Sequence, residues 1–182
     1  RMASALSSST HGFSARTSFS CMAHFEVNNY NWPVDHYRPN GDNWFWIPLL
    51  VASPGVTSSR SYTVDLPHSV GTGCSATVVV AGANLAPHSL SMRLNGVAPT
   101  SPPDPATWQG KQIFSQSWDF STGLFAGANT VALTVGGAAS TYDYQFLDYF
   151  DFAYPRTFEA DSGALLFTDA NANASYASPG YS

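Results

Sequence analysis

The 182-residue chain carries little charge, and positive charge is the scarcer kind. Charged residues make up 10% of it, against roughly 25% in an average domain, and Lys111 is its single lysine beside six arginines. Twelve acidic residues leave a net charge of −5. Because binding to a phosphate backbone requires clustered lysine and arginine, nucleic acid is not an expected partner.

Long apolar runs are also missing. The longest, residues 44–52, is far shorter than the roughly 20 residues that cross a bilayer, and Pro48 interrupts it. The sequence therefore predicts no membrane span. It begins with Arg1 and lacks the charged-then-apolar organisation of a signal peptide, so we expect a segment of a longer protein.

Cysteine is rare. Cys21 and Cys74 lie 53 positions apart, and neither belongs to a CxxC pair, so the sequence contains no zinc signature. Two interpretations remain open, namely two buried free thiols or one disulfide between neighbouring strands. A disulfide would agree with a life outside the cytoplasm, which the low lysine content also suggests.

A sustained helical period is absent, and what the chain contains instead is short alternation of apolar and polar residues. Alternation with a period of two indicates half-buried strands. Residues 28–43 and 99–112 are predicted loops, and Asn95-Gly96 predicts a tight hairpin turn. The predicted strands cover 17–27, 61–66, 75–81, 89–94, 111–120, 130–135 and 142–154, with short strands near 165 and 176.

Strands repeated about every dozen residues predict an all-β sandwich of about 8–10 strands. The amino-terminal residues 1–16, rich in serine and alanine, are expected to be an irregular lead-in. Residues 17–182 show no repeat and no change of composition, so we expect one domain, monomeric in isolation.

Two segments resemble the last strands of jelly-roll carbohydrate-binding modules. They are Leu124-Phe-Ala-Gly-Ala-Asn-Thr-Val-Ala-Leu133 and the aromatic stretch 144–152. In the first, Gly127 permits a positive φ and Asn129 can bond the backbone of its own turn. The resemblance implies a jelly-roll sandwich of two antiparallel sheets with a polysaccharide or glycan as its partner.

A second resemblance covers most of the chain. His24-Phe-Glu-Val-Asn-Asn-Tyr30, Asn43-Trp-Phe-Trp46 and the stretch 146–156 occur in the order found in the β-sandwich module ahead of the catalytic domain of bacterial gingipain-like cysteine peptidases. Cys74 and the proline-rich loop 99–105 depart from that pattern. The resemblance implies an accessory domain of a secreted or cell-surface bacterial protein, with the catalytic residues outside this chain.

Catalysis by the chain itself is not expected. Alternation places Cys21 and His24 on opposite faces of one strand, so the two cannot form a thiolate–imidazole pair. The five histidines show no spacing typical of metal ligands. Glu26 and Asp148 are conceivable paired acids, yet each has a simpler structural use.

Aromatic residues in the predicted loops are the candidate ligand-binding residues. The C–H faces of a sugar ring stack on flat aromatics, and polar side chains bond its hydroxyls. Because function concentrates in loops, Trp32, Tyr37 and Trp108 are candidates, together with Trp118 near a turn. The alternative for each is half-buried packing. Trp44 and Trp46 are expected in the core.

A structural calcium ion is the candidate cofactor. Jelly-roll modules often hold calcium between the first and last strands, which implies Glu26, Asp148 and Asp151 as ligands here. Calcium takes six to eight oxygens, and carboxylates supply them well. The alternative is that these acids are simply solvated at the strand edges.

Two functions follow from these expectations. The first is a non-catalytic carbohydrate-binding module excised from a larger secreted bacterial protein. The second is a protein-interaction or spacer domain of a secreted gingipain-like peptidase. Solvent-facing aromatics beside a pocket would favour the first, and a broad apolar patch of several hundred Å² would favour the second.

Overall fold

The computed structural model describes residues 16–32 and 43–160 of the chain. Within these ranges the chain forms eleven strands and no helix, so no described helix could cross a membrane. The predicted lead-in and the predicted strands near 165 and 176 lie outside the described residues, apart from Arg16. The strands are β1 (Ser18–Glu26), β2 (Tyr30–Asn31), β3 (Trp44–Phe45), β4 (Leu50–Ala52), β5 (Thr57–Leu66), β6 (Cys74–Gly82), β7 (Pro87–Leu94), β8 (Ala106–Gln109), β9 (Ile113–Phe120), β10 (Gly127–Gly136) and β11 (Asp143–Thr157).

Two antiparallel sheets form the sandwich. The first has the order β1-β11-β6-β9, and β4 pairs with the amino-terminal end of β11. The second has the order β5-β10-β7-β8. A small third sheet consists of β2 and β3. The predicted all-β jelly-roll sandwich is therefore confirmed.

Side-chain alternation builds the core between the sheets. On β7, Leu90, Met92 and Leu94 are completely buried, whereas the intervening Ser91 and Arg93 are only half-buried. β11 contributes Phe150 and Phe152 from the facing sheet. Fully burying each such aromatic or aliphatic side chain contributes about 1.5–3 kcal/mol, so the strand pattern itself supplies the driving force for the sandwich.

A β-bulge in β11 changes which residues face the core. The pairing of β11 with β6 shifts between Leu147 and Tyr149, so Asp148 is the extra residue. Two of the carbonyl oxygens at the bulge bind the tryptophan that precedes β4. The backbone N–H of Trp46 donates to the Leu147 oxygen at 2.9 Å, and its indole N–H donates to the Asp148 oxygen at 2.7 Å.

The small β2–β3 sheet covers part of the outer face of the first sheet. Phe45 is completely buried there and stacks on Phe146, with ring centroids 5.0 Å apart. Its neighbour Trp44 points the opposite way and is 42% exposed, so the expectation that Trp44 is core is wrong. Trp46, beyond the strand, does pack against the central core.

The predicted turns are confirmed in detail. Asn95 and Gly96 both have positive φ, 49° and 82°, as the tight hairpin requires. Gly127 also has a positive φ, 88°. The buried Asn129 side chain bonds both the N–H and the carbonyl of Phe125 at 2.9 Å, and its Oδ1 accepts from the Asn95 amide at 2.7 Å. Asn129 thus holds two loops at one end of the sandwich.

Candidate functional site

The two cysteines are free thiols. On one side of β11, Cys21 of β1 pairs with Tyr154. On the other side, β11 pairs with β6, and the residues that follow the pair Ala153–Ser75 in register are Tyr154 and Cys74. Two strand spacings amount to about 9–10 Å, beyond the roughly 7 Å that a disulfide can bridge. Of the two interpretations left open, the disulfide is therefore wrong, and of the two free thiols only Cys74 is buried. Burial raises the pKa of the Cys74 thiol to about 11, which makes it a poor nucleophile.

The predicted calcium ligands divide between two environments. Glu26 and Asp151 lie on the outer face, where His24 bridges them through contacts of 3.1 Å to Glu26 and 2.7 Å to Asp151. These bonds, first to Asp151 and then to Glu26, raise the pKa of His24. Asp148, in the bulge, is 2% exposed.

This arrangement does not fit calcium. In residues 16–32 and 43–160, no three His, Cys, Asp or Glu side chains form a group able to hold a metal ion. The two outer carboxylates instead bind an imidazole, whose protonated form would compete with any cation. The three predicted calcium ligands, Glu26, Asp148 and Asp151, therefore do not form one metal site in the described part of the chain.

Trp118 lies in the core and not at the surface. It is completely buried, and its indole N–H donates to the Pro103 carbonyl oxygen at 2.7 Å. The alternation of β9 directs Trp118 and Phe120 inward together. With neither face of the ring exposed to solvent, Trp118 cannot stack on a sugar, and its prediction as a ligand-binding residue is wrong.

Trp32 and Trp108 are half-buried and lie apart. Trp108 belongs to β8 and not to a loop, and it stacks on Phe114 with centroids 4.2 Å apart. Trp32 packs on Phe146 at 5.4 Å, in the cluster that includes Ile113. Since Ile113 and Phe114 are successive residues of one strand, the two tryptophans lie on opposite faces of the first sheet. Tyr37, the fourth predicted ligand-binding residue, lies outside the described residues.

A buried polar network lies beside Trp108. His88 Nδ1 is 2.6 Å from Asp143 Oδ1, and both side chains have no exposed surface. Asp143 also accepts from the Ser89 backbone at 3.1 Å and from the Gln145 amide at 3.0 and 2.9 Å. The other ring nitrogen faces the Asn84 carbonyl at 3.2 Å. A carboxylate oxygen accepts, so the Nδ1–H of His88 donates to Asp143.

The network joins the two sheets. His88 belongs to β7 of the second sheet, and Asp143 belongs to β11 of the first. Gly82 makes room for it, because a Cβ at that position would lie 2.5 Å from His88 Nε2. Since its members are enclosed, the network is a structural tie between sheets and does not form a reaction centre.

Two grooves of similar size open near this end of the sandwich. The tryptophan groove, of about 470 Å³, is lined by residues 87–89, 107–109 and 136–138 and includes Trp108. Within it the buried indole nitrogen of Trp108 has no hydrogen-bond partner. The tyrosine groove, of about 450 Å³, is lined by residues 48–51, 58–60 and Tyr144.

The tyrosine groove lies at the open side of the sandwich. β4 is an outermost strand of the first sheet and β5 is an outermost strand of the second, so the groove is walled by two sheet edges. Tyr144 is half-buried and stacks on Tyr142, with centroids 5.6 Å apart and planes 15° apart. Tyr142 is 48% exposed. The pair offers a solvent-accessible aromatic surface next to a groove whose lining is mainly apolar and includes two serines and one arginine.

Sequence reasoning missed the tyrosine pair. The signal was present, because residues two positions apart on a strand share a face, and Tyr142 and Tyr144 fulfil that spacing. Only the pairing of Tyr144 with Val51 on the edge strand β4 shows that this face meets solvent.

Comparison with known proteins gives similarity of structure without similarity of sequence. No family model matches the chain, and no curated protein matches it. Among solved structures, dimeric latent PorU from Porphyromonas gingivalis matches 79% of this chain with a TM-score of 0.56 and 10% identity. The match shows the fold. The predicted resemblance to gingipain-like proteins is therefore confirmed at the level of the fold.

The match covers 13% of the PorU chain, so this chain spans only a small part of that protein. Two carbohydrate-binding modules also match at lower scores. One is CBM36 in complex with calcium and xylotriose, with a TM-score of 0.41, 14% identity and 71% of this chain against 98% of that one. The other is the CBM36-1 domain of a multidomain xylanase from the hindgut metagenome of Trinervitermes trinervoides, with a TM-score of 0.38, 10% identity, and coverage of 74% and 96%.

Proposed function

We propose that this chain is a non-catalytic glycan-binding module and that the tyrosine groove is its binding surface. The observation that carries the proposal is the stacked, solvent-accessible pair of Tyr142 and Tyr144 beside a groove of about 450 Å³. A sugar ring can lay its C–H face on a tyrosine, while the hydroxyls of Ser58 and Ser59 lie within the same groove.

The lining of the groove favours binding over hydrolysis. It contains no carboxylate, histidine or cysteine, so it lacks a general acid, a general base and a thiol nucleophile. A groove of this composition can hold a glycan without cleaving it. We place the protein outside the cytoplasm or on the cell surface of a bacterium, attached to an enzyme domain beyond this chain.

The surface of the described residues gives less support to a spacer role. The three most exposed apolar side chains in this part of the chain are Leu85, Met22 and Phe125. Leu85 follows the last residue of β6. Phe125 follows the last residue of β9, which pairs with the first residue of β6 and so lies at the opposite end of that strand. The two therefore lie at opposite ends of the sandwich and do not form one docking patch.

Affinity electrophoresis against a panel of soluble polysaccharides tests the proposal. Tyr144→Ala and Tyr142→Ala should each weaken retardation, by a factor of about five to ten in Kd, because each removes a stacking surface worth about 1 kcal/mol or more. Tyr149→Ala is the matched control, since Tyr149 is on the same strand but packs on His24.

The melting temperature of each variant is measured in parallel, so that a loss of folding is not taken for a loss of affinity. Absence of retardation by every polysaccharide with the parent protein would overturn the proposal and favour the spacer domain. Equal losses in Tyr149→Ala and Tyr144→Ala would move the binding surface away from the tyrosine groove.

A further inference from the structure

We infer that the tyrosine groove selects an acidic glycan and that Arg60 binds its anionic group, a carboxylate or a sulfate ester. The inference rests on the glycan-binding function proposed above and adds the chemical class of the sugar. It is carried by a half-buried arginine that lines the groove beside Tyr144 and has no counter-ion among the described residues.

Arg60 differs in its pairing from the other arginine on the second sheet. Arg93 donates to the carboxylate of Asp104. Arg60 forms no ion pair or side-chain hydrogen bond with any residue in 16–32 and 43–160. A guanidinium that is partly removed from water usually gains a carboxylate or several acceptors, since its desolvation otherwise costs free energy. An anionic ligand in the groove would supply that partner.

The strand neighbours of Arg60 leave its positive charge unopposed. Its partner across the β5–β10 ladder is Leu133, and the adjacent pairs are Ser59 with Thr134 and Ser58 with Val135. None of these residues ionises. On the same strand face, Tyr62 is the nearest titratable group, and burial raises its pKa to about 12, so it stays neutral.

The carboxylate nearest to the groove in sequence already has hydrogen-bond partners within the protein. Asp143 precedes Tyr144, but its side chain points into the sandwich and binds His88, Ser89 and Gln145. The local charge at the groove is therefore positive, in a protein whose net charge is −5. General electrostatic attraction cannot explain acidic-glycan binding by such a protein, so selectivity would have to come from this groove.

The chemistry of the lining suits an acidic sugar. A guanidinium presents two parallel N–H groups to a carboxylate or sulfate, and a charge-assisted pair of this kind is stronger than a neutral hydrogen bond. Tyr144 can contact the apolar face of the same sugar ring. The Ser59 hydroxyl is hydrogen-bonded to the Thr134 hydroxyl at 2.6 Å. The Ser58 hydroxyl has no protein partner among the described residues and can bond a ligand.

The experiment compares glycans that differ only in charge. Binding of the parent protein is measured by calorimetry to oligogalacturonate and to its fully methyl-esterified form, and to dextran sulfate and to dextran. We expect at least one acidic member to bind about ten times more tightly than its neutral counterpart, with affinity that falls as salt rises. The first pair reports a carboxylate and the second reports a sulfate ester.

Arg60→Gln should remove the preference for the acidic member, while Arg60→Lys should retain part of it, because lysine keeps the charge but loses the planar fork. Lys111→Gln is the matched control, since it removes one positive charge from an exposed position outside the groove. Melting temperatures confirm that each variant folds.

The failures of the two proposals are distinguishable. Equal affinity for charged and neutral members, with both lost in Tyr144→Ala, would overturn the selectivity and leave glycan binding in place. An equal loss in Arg60→Gln and Lys111→Gln would also overturn it, since the effect would then be one of net charge. Absence of binding to all four ligands and to the wider polysaccharide panel would overturn both proposals.

Discussion

Replacement of Asp143 by alanine tests whether the buried network ties the two sheets together. The substitution removes a carboxylate that accepts from His88, from the Ser89 backbone and twice from the Gln145 amide. It leaves the imidazole of His88 enclosed, with 0% of its side chain exposed and without its carboxylate partner. The donors that lose their acceptor lie inside the sandwich, where water does not replace it.

The expected cost follows from these contacts. A buried donor left without its acceptor costs about 1–3 kcal/mol, and His88, Ser89 and Gln145 all lose theirs, so we expect a total loss of about 3–5 kcal/mol. The free energy of unfolding of a domain of this size is about 5–15 kcal/mol in total, so the variant should unfold at a much lower urea concentration. Asp65→Ala, at an exposed position of β5, is the control and should change stability by less than about 0.5 kcal/mol.

Equilibrium urea unfolding followed by tryptophan fluorescence measures both variants. Gly82→Ala disturbs the packing around the same network, since its Cβ would lie 2.5 Å from His88 Nε2 and closer still to the Gly110 carbonyl oxygen. It should also destabilise the protein, with no charge removed. A cost below about 1 kcal/mol for Asp143→Ala, similar to that of Asp65→Ala, would refute the reasoning, because an enclosed histidine cannot lose its carboxylate so cheaply.

Two further predictions concern groups outside the groove. The pKa of His24 lies above its ordinary value of 6.5, so its pairing with Asp151 and Glu26 should stabilise the fold fully below about pH 6.5 and lose that contribution as pH rises through the raised pKa. An NMR titration of the imidazole in the parent and in Asp151→Asn measures this, and an unchanged pKa in the variant would contradict it. In the native protein Cys21 should react with a maleimide much faster than the buried Cys74, whose thiol pKa is about 11. Rapid modification of both thiols, or recovery of a disulfide under mild oxidation, would contradict that placement.

Part of the candidate site could be foreseen and part could not. The stacking of sugar rings on flat aromatics, and the placement of aromatics in predicted loops, led to an aromatic surface as the expected ligand site. The residues chosen for it were the tryptophans, and the structure directs Trp118 into the core and stacks Trp108 on Phe114. Tyrosines at the strand edge took the exposed position instead. Which aromatic residue meets solvent depends on whether its strand is covered, and that is a property of the whole sheet.

The sequence by itself determined the local features. Alternation placed β1 and the longer strands from β5 to β11, because which face a side chain takes depends only on its position along the strand. It missed the short strands β2, β3, β4 and β8. Asn95-Gly96 and Gly127 specified turns, since positive φ is a property of single residues. These preferences require no knowledge of the strand's partners.

The tertiary structure decided everything that depends on which strands pair. β11 lies between β1 and β6, and that arrangement separates Cys21 from Cys74. The packing of β7 of the second sheet against β11 of the first brings His88 next to Asp143, although 55 positions separate them along the chain. The meeting of two sheet edges opens the groove that Arg60 and Tyr144 share. Pairing is set by the burial of the whole apolar surface, so no local pattern carries it.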